Sequence, residues 1–168
     1  NNRFLVLYLM PFCLGLLTVF SFKPFNLSFI NFIILPIFFL IIVYVRKKSE
    51  SIYRKKPYKK NLFILGFIFG FGFFLSGIFW ISYSLTFDES FKYLIPFAII
   101  VIPLFLSIFT GLTILIVGQY LSYNFSSILL FSGSLALCDY IRGKILSGFP
   151  WNLWGYSWSW FTEILQIL

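Results

Sequence analysis

An all-α, polytopic transmembrane helix bundle is the fold class this sequence predicts, and three observations predict it. Hydrophobic residues make up 60% of the 168 positions and charged ones only 11%, more apolar surface than a water-soluble core of this size hides. Apolar stretches about as long as a bilayer is thick recur along the chain, broken by short polar turns. Most of the Lys and Arg are gathered into one connection, residues 46–61, RKKSESIYRKKPYKKN. The expected organisation is five complete spans, at about 4–22, 27–45, 62–85, 94–120 and 125–141. An aromatic loop follows at 142–160, and a sixth span begins at 161, so that residues 1–168 read as one amino-terminal transmembrane domain, most easily taken as part of a longer protein.

The first span, Phe4 to Phe22, contains Pro11, has a single basic residue ahead of it and is followed by no small-residue cleavage site, so it reads as a membrane span and not as a signal peptide. Lys23-Pro24-Phe25-Asn26 is a turn, since Pro and Asn stop helices, and Leu27 to Val45 returns through the bilayer. Residues 46–61 then face the cytoplasm by the positive-inside rule, which places the amino terminus inside and Lys23–Asn26 outside. A nucleic-acid role for this basic run is set aside, because a topology determinant touching anionic lipid accounts for it.

The third span carries Gly66, Gly70, Gly72 and Gly77. Gly66 and Gly70 form a GxxxG face on which a neighbouring helix can approach closely. Trp80 and Tyr83 near its far end are expected to approach the surface formed by the aromatic loop. The fourth span is long and holds Pro96 and Pro103, so a tilt or a kink at Pro103 accommodates the excess. The turn at Gln119 to Asn124 carries no positive charge and is the weakest determinant of topology.

The fifth span closes on Asp139 and Arg142, spaced i, i+3. Two readings stand: an ion pair on one helix face, or an Arg142 and Lys144 that snorkel to phosphates while Asp139 is solvated. Trp151, Trp154, Trp158 and Trp160 crowd into the next stretch, as an ordinary interfacial belt or as a loop of defined form. Pro150 restricts itself and Phe149, and Gly148 and Gly155 permit turns on either side, which favours a defined form. Histidine is absent, which removes His-based general-base and His-based metal chemistry, and no metal or other cofactor is expected. Cys13 and Cys138 lack metal-ligand spacing and read as small packing residues.

The string Arg142-Gly143, Ser147-Gly148-Phe149-Pro150-Trp151 and Gly155-Tyr156-Ser157 resembles the apolipoprotein N-acyltransferase family. Gly66-Phe67, Gly70-Phe71-Gly72 and Ser76-Gly77-Ile78-Phe79-Trp80 are similar to the glycine-rich third span of that family, and Phe20-Ser21-Phe22-Lys23-Pro24 is a weaker third block. Asp139 departs from the pattern, where a glutamate is commoner. The resemblance implies a bacterial inner-membrane enzyme that moves an acyl chain from a membrane phospholipid to the amino group of a diacylglyceryl apolipoprotein. It further implies that a Glu-Lys-Cys triad in a nitrilase-like domain beyond the seventh span does the chemistry, so that neither Cys13 nor Cys138 is the nucleophile and this segment alone is inactive. The residues expected to line a lipid cleft are Trp80, Asp139, Arg142, Gly148, Phe149, Pro150, Trp151 and Tyr156, with Arg142 offered to a lipid phosphate. A small-solute transporter and a non-catalytic membrane subunit are the competing classes. The lack of carboxylates at mid-membrane depth in the first four spans counts against an ion-coupled transporter.

Overall fold

The computed structural model describes residues 2–50, 58–145 and 152–161, with Glu163 and Gln166 beyond them. Among these residues every regular element is helical. The first helix, α1 (Leu5–Ser21), is apolar throughout. It widens into π turns at Leu5–Leu9 just before Pro11, whose ring removes one backbone donor, and tightens at Thr18–Ser21. The chain then reverses at the predicted place: the Asn26 amide donates to Phe22 O at 3.0 Å and the Leu27 amide to Phe20 O at 2.9 Å. Asn26 adopts φ 55°, a left-handed conformation that asparagine tolerates better than most residues.

Helix α2 (Asn31–Glu50) ends on the first lysines of the basic connection, where positive charge suits the carbonyl end of a helix. Helix α3 (Tyr58–Ile78) departs from the expected 62–85 span. It starts earlier, and from Phe79–Thr86 the chain winds as a tighter 3-10 helix. Ser82 Oγ donates to Phe79 O at 2.6 Å and Thr86 Oγ1 to Tyr83 O at 2.7 Å, and such i−3 bonds favour the tighter winding. Helix α4 (Ile95–Val117) has Pro96 in its first turn and Pro103 inside, and it stops three residues before the expected 120. Helix α5 (Phe125–Ile145) outlasts the expected 141, so residues 142–145 belong to the helix and not to the loop. Asn124 Oδ1 caps its start by accepting from the Ser127 amide at 2.8 Å.

Among the described residues, three stretches are long and apolar enough to cross a membrane: Ser28–Lys48, Tyr58–Ile78 and Lys92–Val117. The first helix is shorter, and the last carries Asp139, Arg142 and Lys144 near its end.

Helix α3 is the centre of the bundle, packed most extensively on α4 and α1. Glycine is the reason. A Cβ on Gly66 would lie 2.6 Å from Thr110 O, and one on Gly70 would lie 2.9 Å from Thr110 Oγ1, so the predicted GxxxG face receives α4. On another side, Gly72 meets Gly15 of α1 backbone to backbone; a Cβ on Gly15 would fall 2.8 Å from Phe73 N. In lipid, where burying apolar side chains supplies no net drive, such close backbone approach is what holds helices together. Between α2 and α3 the rings of Phe38 and Phe69 stack at 4.0 Å, and Phe131 of α5 closes on Phe38 and Phe39.

The two ends of the bundle differ. At one, Arg46 Nη1 donates to Leu121 O at 2.5 Å and Lys47 Nζ lies 4.1 Å from the centre of the Tyr123 ring. The uncharged turn at Gln119 to Asn124 therefore shares an end of the bundle with the start of the basic connection. At the other end lie the Phe22–Leu27 turn, the close of α3 and the close of α5.

Candidate functional site

At that second end a short segment folds back over the bundle, and two buried charges hold its backbone. Asp139 Oδ1 accepts from Arg142 Nη2 at 3.1 Å, the i, i+3 ion pair of the two readings set out above. Its other oxygen, Oδ2, accepts from the Trp154 amide at 2.8 Å, and Arg142 Nη2 also donates to Asn152 O at 3.3 Å. The guanidinium lies 5.0 Å from the centre of the Phe74 ring, within cation–π range. Arg142 is 1% exposed. It is therefore not a donor offered to lipid phosphate, as the sequence led us to expect. A charge taken out of water needs a close counter-charge and hydrogen-bond acceptors; Asp139 and Asn152 supply these to Nη2, and the Phe74 ring faces the guanidinium.

Asn152 enters with φ 54°, and its side-chain amide presses against Gly77 so closely that no Cβ fits there. Trp154 then inserts flat between rings of α3: its centroid is 4.7 Å from Phe73 at 7° and 6.4 Å from Phe69 at 17°. A tight 3-10 turn, Trp154–Trp158, follows, with Ser157 Oγ donating to Trp154 O at 2.7 Å. Ser28, just ahead of α2, binds it twice: its hydroxyl donates to Ser157 O and accepts from Trp160 Nε1, the latter at 2.8 Å. Trp158 packs edge-on against Phe29 and Phe32. Each of these three tryptophans has a fixed partner in the protein, so the segment is a folded element and not a plain interfacial belt.

An open cavity of about 720 Å³ lies beside this element. The α1 turn (Phe22, Lys23, Phe25), the close of α3 (Phe79, Trp80) and the segment itself (Asn152, Tyr156, Ser159) wall it. Of the expected cleft residues, Trp80 and Tyr156 thus come together, both half-exposed. Trp80 is fixed there by its indole N–H, which donates to Gly77 O at 3.1 Å. Asp139 and Arg142 stand behind the wall and position it. Gly148, Phe149, Pro150 and Trp151 lie outside the described residues. Sequence reasoning missed Lys23 and Asn152. The Phe20–Pro24 block was a signal for the first, while an isolated asparagine among aromatics gave none for the second. Cys13 is exposed on the bundle surface, against its reading as a packing residue, because α1 turns that side away from α3; Cys138 is half-buried.

Helices of membrane-spanning length and composition, knitted by glycine and closed at one end by a folded aromatic element, define a polytopic membrane domain. Within that class, residues 14–168 match the apolipoprotein N-acyltransferase N-terminal domain, and the chain belongs to this family. It is 33% identical over 144 residues to an apolipoprotein N-acyltransferase of Rhodopseudomonas palustris, covering 85% of this chain and 26% of that protein. The corresponding proteins of Bradyrhizobium diazoefficiens and Brucella melitensis are 33% and 30% identical, over 86% and 89% of this chain and 26% and 28% of their own length. The chain thus spans about a quarter of the length of these curated relatives.

Proposed function

We propose that this chain is the membrane domain of an enzyme that transfers an acyl chain from a membrane phospholipid to the amino-terminal S-diacylglyceryl cysteine of an apolipoprotein. The observation that carries this reading is the family match over residues 14–168. In the proposed reaction a thiolate outside this segment attacks the phospholipid ester, a lysophospholipid leaves, and the lipoprotein amine then takes the acyl group from the thioester, regenerating the thiol. The segment itself anchors that machinery and forms the membrane side of a lipid-accessible cleft. Trp80 and Tyr156 line the cleft, the Asp139–Arg142 pair fixes its wall, and Gly148 to Trp151 present Phe149 and Trp151 to acyl chains. Five spans put the amino terminus and residues 46–61 on the cytoplasmic face of a bacterial inner membrane and residues 142–160 on the periplasmic face.

The test compares Trp151→Ala with Trp160→Ala in the full-length enzyme at matched membrane abundance, reading N-acylation of a model lipoprotein. Trp151→Ala is expected to lower acylation severalfold, beyond any effect of Trp160→Ala. Equal, near-wild-type activity in both would remove the cleft role of the loop.

A further inference from the structure

We propose that the open cavity at the end of the bundle is a binding site selective for an anionic phospholipid, with Lys23 as its phosphate contact and Phe25, Phe79 and Trp80 against the upper acyl chains. The cavity, at about 720 Å³, is within the size range of ligand-binding clefts. Its wall is amphipathic in the sense a lipid head requires. Lys23 is exposed, and the acid-base pairs among the described residues, Lys92–Glu89 and Arg142–Asp139, do not involve it. Around it Phe25, Phe79 and Trp80 are each about half exposed, a concentration of large apolar rings beside a cation that water alone does not favour.

Polar groups accompany the lysine on the segment side. Tyr156 and Ser159 bring hydroxyls to the same wall, which Asn152 also lines. A phosphodiester offers acceptor oxygens to such donors, and the ammonium adds a charge-assisted contact. A zwitterionic head carries its own cation, which would meet Lys23 with like charge, so the selectivity expected is for a head group with net negative charge. This inference rests on the lipid-accessible cleft proposed above, whose head-group preference it names, and does not require the acyl transfer itself.

The experiment needs no turnover, so its failure is separate from failure of the proposed reaction. Full-length protein is reconstituted into nanodiscs of equal parts phosphatidylglycerol and phosphatidylcholine, and the lipids it retains on release are counted by native mass spectrometry. Wild type should enrich phosphatidylglycerol about two- to fivefold over the bulk ratio, the range an exposed ion pair supplies. Lys23→Gln should return the ratio to bulk, Lys23→Arg should keep the enrichment, and Lys92→Gln, at an exposed lysine of the same end, should leave it unchanged. Chain-brominated phosphatidylglycerol should quench the emission component lost in Trp80→Phe more than chain-brominated phosphatidylcholine does. Enrichment equal in wild type and Lys23→Gln, absent from both, or unaccompanied by selective quenching of Trp80 overturns the proposal.

Discussion

Removing Arg142 tests how the aromatic segment is held. In Arg142→Gln the amide no longer neutralises Asp139, whose carboxylate side chain is only 15% exposed. Breaking a buried pair from one side costs about 3–5 kcal/mol, because the remaining charge is left without its partner. The bond to Asn152 O and the cation–π contact with Phe74 are lost in the same step, and they overlap with that figure instead of adding to it. Asp139→Asn keeps a carbonyl oxygen for the Trp154 amide but leaves the still more deeply buried Arg142 cation without its counter-charge, so the expected cost is again about 3–5 kcal/mol. Replacing both by apolar residues, Asp139→Leu with Arg142→Met, should recover much of the Arg142→Gln loss, since no charge is then buried. The assay is unfolding in detergent, followed by acrylamide quenching of the emission component lost in Trp154→Phe, which reports whether the indole stays between Phe69 and Phe73. Arg142→Gln within about 0.5 kcal/mol of wild type, with Trp154 still protected, would falsify the claim that the pair holds the segment.

Glycine substitutions divide by what a side chain would meet. Gly15→Ala should destabilise the bundle by about 1–3 kcal/mol in the same unfolding assay, because the new methyl meets the α3 backbone, whereas Gly133→Ala, with nothing within 4 Å, should be neutral or gain up to about 1 kcal/mol. In a background without Cys13 and Cys138, cysteines at Ser49 and Ser159 should react with an impermeant thiol reagent from opposite faces of the membrane; reaction from the same face refutes the span count. The segment of residues 1–168, purified with phospholipid and a diacylglyceryl peptide, should give no N-acylated product above background. Turnover that Cys138→Ala abolishes would overturn the assignment of the chemistry to residues elsewhere.

The fold was readable in the sequence where one rule acted without competition. Apolar length set the helices, the GxxxG spacing of Gly66 and Gly70 named the face that receives α4, and Lys23 to Asn26 marked the reversal. Helix ends were less legible, because hydropathy does not distinguish an α-turn from the 3-10 winding that Ser82 and Thr86 favour after Ile78. The i, i+3 spacing of Asp139 and Arg142 was visible as well, though not which of its two readings holds. That outcome depended on the Asn152 carbonyl and the Trp154 amide, backbone groups that sequence does not display and that only the return of the chain brings within reach. The meeting of Trp80 with Tyr156 was half legible, as two aromatics expected at one end; Lys23 of the α1 turn stood in a block the sequence singled out, but its place on the same wall was not visible.

The glycines of α3 have a mechanical consequence. Gly70 and Gly72 point about 200° apart at 3.6 residues per turn, and through them the backbone of α3 touches α4 on one side and α1 on the other. At Gly72 the contact is backbone to backbone, and at Gly70 only the short Thr110 side chain and the Ser107 backbone stand opposite. The three helices should therefore move as one stiff plate, and any widening of the bundle to admit a bulky hydrocarbon tail falls to the seam along α5, which packs on α4 far less extensively. The Asp139–Arg142 pair lies near the end of α5 and ties it, through Asn152, Trp154 and Phe74, to the aromatic segment and to α3.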